Sequence, residues 1–313
     1  MSPRREQAMV PEAAFESYYG RQILKTPTWK TPDVPLYLFL GGLAGASAVL
    51  AEGAAATGRP DLERVTRIAA AGGAAAGTVA LVHDLGRPER FLHMLRVFKP
   101  TSPLSVGSFI LAPFSGLAGA AAASNLTGRL PRLGRLAGLG AAAFGPPLVT
   151  YTAALISNTA VPAWHEGHRE LPFVFAGSGA TAAGGVAMAF TPVAQAGPAR
   201  RMAIGGAALE IVAAEALLHR IGMVAEPYRE GRPGRLISVA RTMTAVAAGV
   251  TFMAGRRSRA VSVAAGLTCV AASAMTRFGI FEAGIASAKD PKYVVVPQRE
   301  RMAAREREGS RTV

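Results

Sequence analysis

The sequence predicts an all-α polytopic membrane protein, a bundle of eight transmembrane helices. The 313-residue chain is 50% hydrophobic and only 17% charged, whereas soluble domains average about 25% charged residues. Its apolar residues form long blocks, each near the roughly 20 residues that a helix needs to cross a bilayer. Glycine and alanine are frequent within these blocks, and small residues let membrane helices approach one another closely.

The predicted spans follow one another with polar connections between them. A polar segment, residues 1–34, comes first, and it lacks the apolar core of a signal peptide. A membrane domain over residues 35–285 and a polar, basic tail over 286–313 complete the chain. The predicted spans cover residues 35–57, 65–82, 103–123, 136–156, 171–193, 202–221, 236–253 and 260–280.

Eight spans place both termini on the same side of the membrane, and the connecting loops differ between the two sides. The loops after spans two, four and six are long, and together with the termini they form what we call the motif face. The loops after spans one, three, five and seven form the short-loop face, and they are rich in arginine: Arg59, Arg129, Arg132, Arg200, Arg201, Arg256 and Arg257. Arginine in short loops favours a cytoplasmic position. Long loops on one face are typical of a docking surface for a partner subunit.

The charge and cysteine content exclude several classes of function. The net charge of +14 is expected where basic loops meet anionic lipid. No basic patch interleaved with aromatic residues is present, so we expect no nucleic acid partner. The single Cys269 excludes an internal disulfide and a cysteine-ligated iron–sulfur cluster within this chain. We therefore predict no metal site here, and any metal centres would belong to other chains.

The stretch from residue 83 to 109, HDLGRPERFLHMLRVFKPTSPLSVGSF, separates two long apolar runs with closely spaced charged residues and prolines. Residues 90–97 are predicted to form a short amphipathic helix. Pro100 and Pro103 would end it, and Ser102 or Ser105 would cap the next helix. Charge at a bilayer edge is often functional.

Several motifs in this chain resemble the NrfD/PsrC family of polysulfide-reductase-type integral membrane subunits. D-L-G-x-P-x-R-F begins at Asp84, and P-T-S-P-x-S-x-G begins at Pro100. Four further segments agree in order: EAAFESYYGRQILKTPTWK near the N-terminus, YTAALIS from Tyr151, PAW followed by HEGHRELPFVFAGSG, and RFGIFEAGIASAKDPKYVVVPQRER near the C-terminus. The resemblance extends over most of residues 15–299.

Polar side chains near the motif-face ends of several spans predict a quinone site. Glu215 and His219 are spaced i, i+4 and share one stripe of span six, and Arg277 lies about one turn before the predicted end of span eight. The full group is Tyr37, His83, Asp84, Tyr151, Glu215, His219 and Arg277. A tyrosine hydroxyl can donate to a quinone carbonyl, and a buried acid can supply protons. Arg277 could hold Asp84 or Glu215 ionised, or polarise a carbonyl.

The resemblance implies the same activity. It implies a membrane anchor that exchanges electrons between a membrane quinone and an iron–sulfur ferredoxin-like subunit. The quinone would be menaquinone or another membrane quinone, and it would not be covalently bound. That subunit would serve a molybdopterin catalytic subunit, so this chain would not act on the terminal substrate. Asp84, Tyr151 and Arg277 match the family's functional positions best, and Glu210 and Glu215 match an acidic pair. The implied location is the bacterial plasma membrane.

Acids at different depths raise the hypothesis of a proton relay. Glu52 lies near the short-loop end of span one, Glu210 near the middle of span six, and Glu215 closer to the motif face. Isolated acids within a membrane are costly and usually functional. Glu210 and Glu215 are about 140° apart around their helix, so a bridging group would be required. The alternative is that each acid pairs separately with an arginine or a hydroxyl.

Other interpretations remain open. A haem b anchor would need two histidines facing each other across the bundle, and only His83 and His219 are candidates. A proton-coupled secondary transporter using Glu52 and Glu210 should show inverted repeats and broken helices, and neither is visible in the sequence. Among single residues, Trp164 is interpreted as an aromatic residue of the interface belt. The loop residues His93, His165 and His168 are interpreted as solvated.

Overall fold

The computed structural model describes residues 23–87 and 89–309 of the chain. Every regular element in this part is a helix, and eight helices are long and apolar enough to cross a membrane. The prediction of an all-α bundle of eight transmembrane helices is therefore confirmed. The eight are α1 (Asp33–Ala56), α2 (Pro60–Leu85), α4 (Pro103–Thr127), α5 (Pro131–Ser157), α7 (Leu171–Phe190), α8 (Gly197–Arg220), α10 (Gly231–Ala254) and α11 (Arg259–Lys289).

Four shorter helices and one 3₁₀ turn belong to the motif face. They are α3 (Glu89–Met94), α6 (Pro162–Glu166), the 3₁₀ turn Gly222–Ala225, α9 (Glu226–Arg229) and α12 (Lys292–Gly309). The short helix predicted over residues 90–97 is present as α3, but it ends at Met94, three residues before the predicted end. Ser102 is the N-cap of α4, where its Oγ accepts from the Ser105 backbone N–H at 3.5 Å. The N-terminal motif lies partly outside the described residues, because residues 1–22 are not among them.

The helices extend further than the apolar blocks that predicted them. α2 and α5 begin with the polar turns at Pro60 and Pro131, and α11 continues to Lys289 instead of ending at Ile280. Hydrophobicity marks the part of a helix that crosses the bilayer, whereas helical hydrogen bonding continues into polar turns beyond it. Arg277 is therefore twelve residues before the end of α11, or about 18 Å along the axis at 1.5 Å per residue. The prediction that Arg277 lies one turn from the end is wrong.

Helices α1 and α7 form the centre of the bundle, and the other spans pack around them. α1 packs against α2, α5 and α7, while α7 also packs against α8 and α11. α1 is the most enclosed span, and α10 is the span with the largest share exposed to lipid. Glycine and alanine occupy most positions of the central contacts, which permits the close approach that small residues allow in membranes.

An aromatic cluster closes the bundle at the motif face. The indole of Trp164 is fully buried, and its Nε1–H donates to the Ile280 carbonyl at 2.9 Å. Trp29 stacks on Trp164 with ring centroids 5.5 Å apart, and Phe281 lies 5.5 Å from Trp164 on centroid distance. Tyr228 donates its hydroxyl to the Ala163 carbonyl at 2.8 Å. The interpretation of Trp164 as an interface-belt residue is therefore wrong, since this residue fixes α6 onto α11.

Candidate functional site

Arg277 lies in the interior of the bundle between α1, α7, α8 and α11. Its side chain has no solvent exposure. Its Nη2 donates to the Phe175 carbonyl at 2.6 Å, and the guanidinium carbon lies 3.6 Å from the centroid of the Phe175 ring. A methyl group on Gly42 would lie only 2.9 Å from Nη2, so glycine leaves the space that the guanidinium occupies. Nε and Nη1 of Arg277 have no partner among the described residues.

Glu210 is the acid associated with this buried arginine. Its side chain is 4% exposed, and Oε1 accepts from the Thr276 hydroxyl at 2.7 Å. Glu210 also interacts electrostatically with Arg277. Oε2 has no hydrogen-bond partner within the described residues. Glu210 lies ten residues before the end of α8, about 15 Å from the motif face, which is near the bilayer midplane.

An apolar cleft between α8, α10 and α11 leads from the motif face to Glu210. Its walls are formed mainly by aliphatic side chains, with Tyr228 at one end and Glu210, Thr244 and Thr276 at the other. The hydroxyl of Thr244 is buried and has no partner in the part of the chain that the structure describes. Arg241 also lines the cleft, so the aliphatic walls carry one charged side chain between the motif face and Glu210.

Tyr151 borders a separate groove on the motif face, between the start of α4, the end of α5 and α6. Its ring packs directly against Gly107, where any larger residue would collide with it. The groove is lined by Pro100, Thr101, Pro103, Val106, Tyr151, Ala154, Ser157, Asn158, His165, His168 and Pro172. Tyr151 is half-buried. The groove therefore combines an apolar wall with one phenolic donor.

Two histidines of the groove have a defined orientation. His165 Nδ1 lies 3.1 Å from the Ser157 carbonyl oxygen, and His168 Nδ1 lies 3.0 Å from the His165 carbonyl oxygen. A carbonyl only accepts, so each Nδ1 carries the proton and donates. In the neutral ring, Nε2 is then an acceptor. Both histidines are exposed, so their interpretation as solvated is confirmed. They belong to the HEGHRELPFVFAGSG segment, but the sequence did not identify them as site candidates.

Asp84 and His83 hold the segment that leads into α1. The Lys30 backbone N–H donates to Asp84 Oδ1 at 2.8 Å, and His83 Nδ1 lies 2.7 Å from Asp33 Oδ2. Through Trp29, which stacks on Trp164, this segment continues into the aromatic cluster. Neither Asp84 nor His83 lines the Tyr151 groove. Asp84 thus orders the motif face, and the predicted proton-supply role of Asp84 stays a prediction.

A model of the family described as "Polysulphide reductase, NrfD" matches residues 24–218 of this chain. This match covers more than half of the chain and includes Asp84 and Tyr151. The chain belongs to the NrfD family. It is thus a multi-pass membrane subunit that associates with other subunits of a respiratory oxidoreductase complex. No curated protein matches the chain closely enough to be reported as a relative.

Within this NrfD-family chain, Glu215 and His219 lie apart from the other predicted site residues. Glu215 forms an ion pair with Arg241 of α10, and both side chains are more than 40% exposed, on the outside of the bundle. His219 is exposed near the end of α8. The predicted pairing of Arg277 with Asp84 or Glu215 is therefore wrong, because Asp84 binds Lys30, Glu215 binds Arg241, and Arg277 neighbours Glu210.

Two further predicted residues, Glu52 and Tyr37, lie at separate places in the bundle. Glu52 Oε1 accepts from Arg67 Nη2 at 2.9 Å, and Arg135 Nε lies 3.6 Å from Glu52 Oε2. The three acids of the proposed relay are therefore not arranged as one file, and separate pairing is what the geometry favours. Tyr37 is 2% exposed beside Gly77 of α2, and its hydroxyl has no partner in the described part of the chain.

Ion pairs surround the site on the motif face. Glu170, at the start of α7, accepts from Arg220 Nε at 2.5 Å, and this hydrogen bond holds the pKa of the Glu170 carboxyl below its usual range. Lys292 donates to Glu226, which raises the pKa of Lys292 and lowers that of Glu226. These pairs connect α12 and the loop between α8 and α10, so the motif face is ordered by charge as well as by aromatic stacking.

Proposed function

We propose that this chain is the quinone-reactive membrane anchor of its complex, exchanging electrons between a membrane quinone and an iron–sulfur ferredoxin-like subunit. The observation that carries the proposal is the Tyr151 groove. It places a phenolic donor and two histidine acceptors in an apolar groove at the level of the motif face, beside the long loops. Pockets for small apolar ligands typically combine mostly apolar walls with a few polar groups that fix orientation.

The residues of the groove suit both protonation states of the ligand. The Tyr151 O–H can donate to a quinone carbonyl oxygen, and the Nε2 atoms of His165 and His168 can accept from quinol hydroxyls. Oxidation of a quinol to a quinone releases two electrons and two protons, and the reverse reaction takes them up. A neutral histidine can accept a proton from a quinol hydroxyl through the lone pair of Nε2. The electrons pass to the partner subunit at the motif face.

The family membership and the long loops support the wider assignment. We infer that the iron–sulfur subunit docks on the motif face and serves a molybdopterin catalytic subunit, and that menaquinone or another membrane quinone is the mobile substrate. The same proposal places the complex in a bacterial plasma membrane. This chain would then carry the quinone chemistry and none of the chemistry of the terminal substrate.

The alternative of a haem b anchor has less support from the geometry. His83 is 73% exposed and pairs with Asp33, while His219 lies at the exposed end of α8. Two axial histidines must face each other across the bundle interior. Neither of these residues points into it, so this pair does not form the required arrangement. The transporter alternative is weakened because Glu52 is paired with Arg67 and the eight spans are continuous helices.

Replacing Tyr151 with phenylalanine should slow quinone turnover several-fold while the complex still assembles. The phenyl ring keeps the packing against Gly107 and loses only the donor. One hydrogen bond to an uncharged partner contributes about 0.5–1.5 kcal/mol, which corresponds to a several-fold change. Steady-state quinol kinetics of the purified complex measure the effect, and co-purification of the partner subunits checks that the complex assembles. Wild-type kinetics for Tyr151→Phe would make Tyr151 a packing residue and remove the groove as the quinone site.

Reversing the charges of Arg90 and Arg96 should release the iron–sulfur subunit from membranes at moderate salt. Both residues are exposed in and after α3, on the longest loop of the motif face. Charged residues on an interface rim govern association and its dependence on salt. Co-purification of the partner in a salt titration measures the release. Arg129 and Arg132, on the short-loop face, serve as the matched control pair. Unchanged co-purification of the Arg90/Arg96 variant would contradict docking at this loop.

A further inference from the structure

Three arginine side chains converge at the start of α8, on the short-loop face. The point where a Cβ of Gly197 would lie is 3.8 Å from Arg200 Nη2, 3.9 Å from Arg201 Nη1 and 3.9 Å from Arg59 Nη1. These are the three nearest heavy atoms to that point outside the local backbone. Arg59 comes from the loop between α1 and α2, so the cluster joins this loop to the first turns of α8, which is distant in sequence.

The cluster has no carboxylate partner among the residues that the structure describes. None of the ion pairs between described residues includes Arg59, Arg200 or Arg201. The nearby acid Asp61 is held by Gln195, whose Nε2 donates to Asp61 Oδ2 at 2.6 Å. Arg256, in the loop between α10 and α11, is close enough to interact electrostatically with Arg200 and adds a further positive charge.

Arg200 forms no ion pair with a described residue, but hydrogen bonds to backbone carbonyls hold its side chain in place. Its side chain is only 8% exposed, and Nη1 donates to the Val193 carbonyl at 3.0 Å and to the Gly255 carbonyl at 3.5 Å. These bonds connect the α7–α8 loop to the α10–α11 loop and leave Nη2 directed toward Gly197. Arg59 Nε is also buried and has no partner among the described residues. A buried N–H of a charged group without an acceptor is costly.

The start of α8 adds backbone donors to the same place. Helix α8 begins at Gly197, and no side chain caps its first turn. Pro198 has no N–H and the Arg200 N–H donates to the Ala196 carbonyl at 3.0 Å, so the donors concerned are the N–H groups of Gly197 and Ala199. The first N–H groups of a helix have no partner within the helix, and the positive end of its dipole favours an anion. The enrichment of arginine in short loops explains why these residues are on this face. It does not explain why three guanidinium groups turn toward one point and one of them is buried.

We propose that the cluster of Arg59, Arg200 and Arg201 binds the phosphate of an anionic phospholipid head group from the leaflet at the short-loop face. Guanidinium forks match phosphate oxygens in charge and geometry. A lipid source is favoured because the adjacent end of α10 presents Phe252 and Met253, which are 80% and 75% exposed. These two residues lie close to Gly255, whose carbonyl accepts from Arg200 of the cluster. Acyl chains attached to a bound phosphate would therefore have an apolar surface to lie against.

The test measures binding of phosphatidylglycerol to the full chain, purified in detergent and stripped of lipid, by native mass spectrometry. Phosphatidylcholine is the neutral-lipid comparison. Arg201→Gln and Gly197→Ala are the test variants. The alanine methyl would stand 3.8–3.9 Å from the three guanidinium nitrogens, which is ordinary contact, so the fold tolerates it while the space for a phosphate oxygen shrinks. Arg132→Gln, an exposed arginine of another short loop, is the matched control.

We expect phosphatidylglycerol to bind at one saturable site in preference to phosphatidylcholine. Arg201→Gln should weaken this binding by about tenfold or more, since a charge-assisted hydrogen bond contributes about 1.5–3 kcal/mol. Gly197→Ala should also weaken it, because its methyl group occupies space needed by a phosphate oxygen. Arg132→Gln should bind as the wild type does. Equal binding of both lipids, or an equal loss in Arg132→Gln, would overturn the proposal. Displacement of the lipid by millimolar inorganic phosphate would overturn the lipid source and identify the cluster as a site for a soluble oxyanion. If Gly197→Ala does not fold, Arg201→Gln decides alone.

Discussion

Replacing Arg277 with methionine should lower the free energy of unfolding by about 3–5 kcal/mol, because it removes the cation beside the buried carboxylate of Glu210. Arg277 has no solvent exposure and donates to the Phe175 carbonyl, and it is the cation beside Glu210. Methionine keeps much of the volume but provides no donor. The Phe175 carbonyl and the Glu210 carboxyl would both lose a favourable interaction in a region that water does not solvate.

A double substitution separates the charge effect from packing. In Arg277→Met with Glu210→Gln both members of the pair become neutral, and replacing both members of a buried pair is often close to neutral for stability. We expect the double variant to recover at least half of the loss caused by Arg277→Met. Unfolding of the detergent-solubilised chain in a titration with sodium dodecyl sulfate provides the measurement.

Arg241→Met is the matched control for this experiment. Arg241 is also a span arginine paired with a glutamate, but Arg241 and Glu215 are 47% and 42% exposed. Exposed ion pairs contribute about 0–1 kcal/mol, so this control should unfold nearly as the wild type does. Equal losses for Arg277→Met and Arg241→Met would show that burial of the pair does not govern the stability of this bundle.

The sequence was sufficient to predict the eight spans because their length and apolar content are a direct consequence of the bilayer. It was not sufficient to predict which acid of α8 faces inward. Glu210 and Glu215 both follow alanine-rich stretches, and alanine and glycine surround the helix on all sides. No broad apolar stripe therefore marks the lipid side, and the periodicity that orients helices in soluble proteins carries little information here. Only tertiary packing shows that Glu210 is 4% exposed and Glu215 is paired on the outside.

The candidate site was predicted in part, for a similar reason. Tyr151 was identified from its position near the end of a span, and the structure places it in a groove. Its neighbours His165 and His168 were interpreted as solvated, and both are indeed exposed. No local pattern specifies the path of α6 and of the residues after it, so their position beside Tyr151 could not be predicted. Thr276, which donates to Glu210, resembles the many helix hydroxyls that bond to their own backbone, such as Thr242 with Ser238. Its role depends on a contact between α8 and α11.

Replacing Glu210 with glutamine should reduce proton movement linked to quinone turnover by tenfold or more, if Glu210 transfers protons across the middle of the membrane. We propose that role because Glu210 is a buried acid near the midplane, has one unpartnered oxygen, and borders a cleft that leads to the motif face. Loss of a group that transfers protons typically costs about 10²–10⁴ in rate. Glutamine has nearly the same shape, and its amide oxygen can still accept from Thr276, so the complex should assemble.

Proteoliposomes carrying the whole complex, with a pH-sensitive dye inside, measure both quinone turnover and proton movement. Glu282→Gln is the control, because Glu282 is a span acid that pairs with Arg232 at 3.4 Å near the motif face. Glu215→Gln distinguishes the two arrangements of the acids: a relay through Glu215 requires a loss of proton movement, whereas its external pair with Arg241 predicts none. A glutamine side chain cannot take up and release a proton as a carboxyl group does. Normal turnover with normal proton movement in Glu210→Gln would therefore show that Glu210 transfers no protons and is only the structural partner of Thr276 and Arg277.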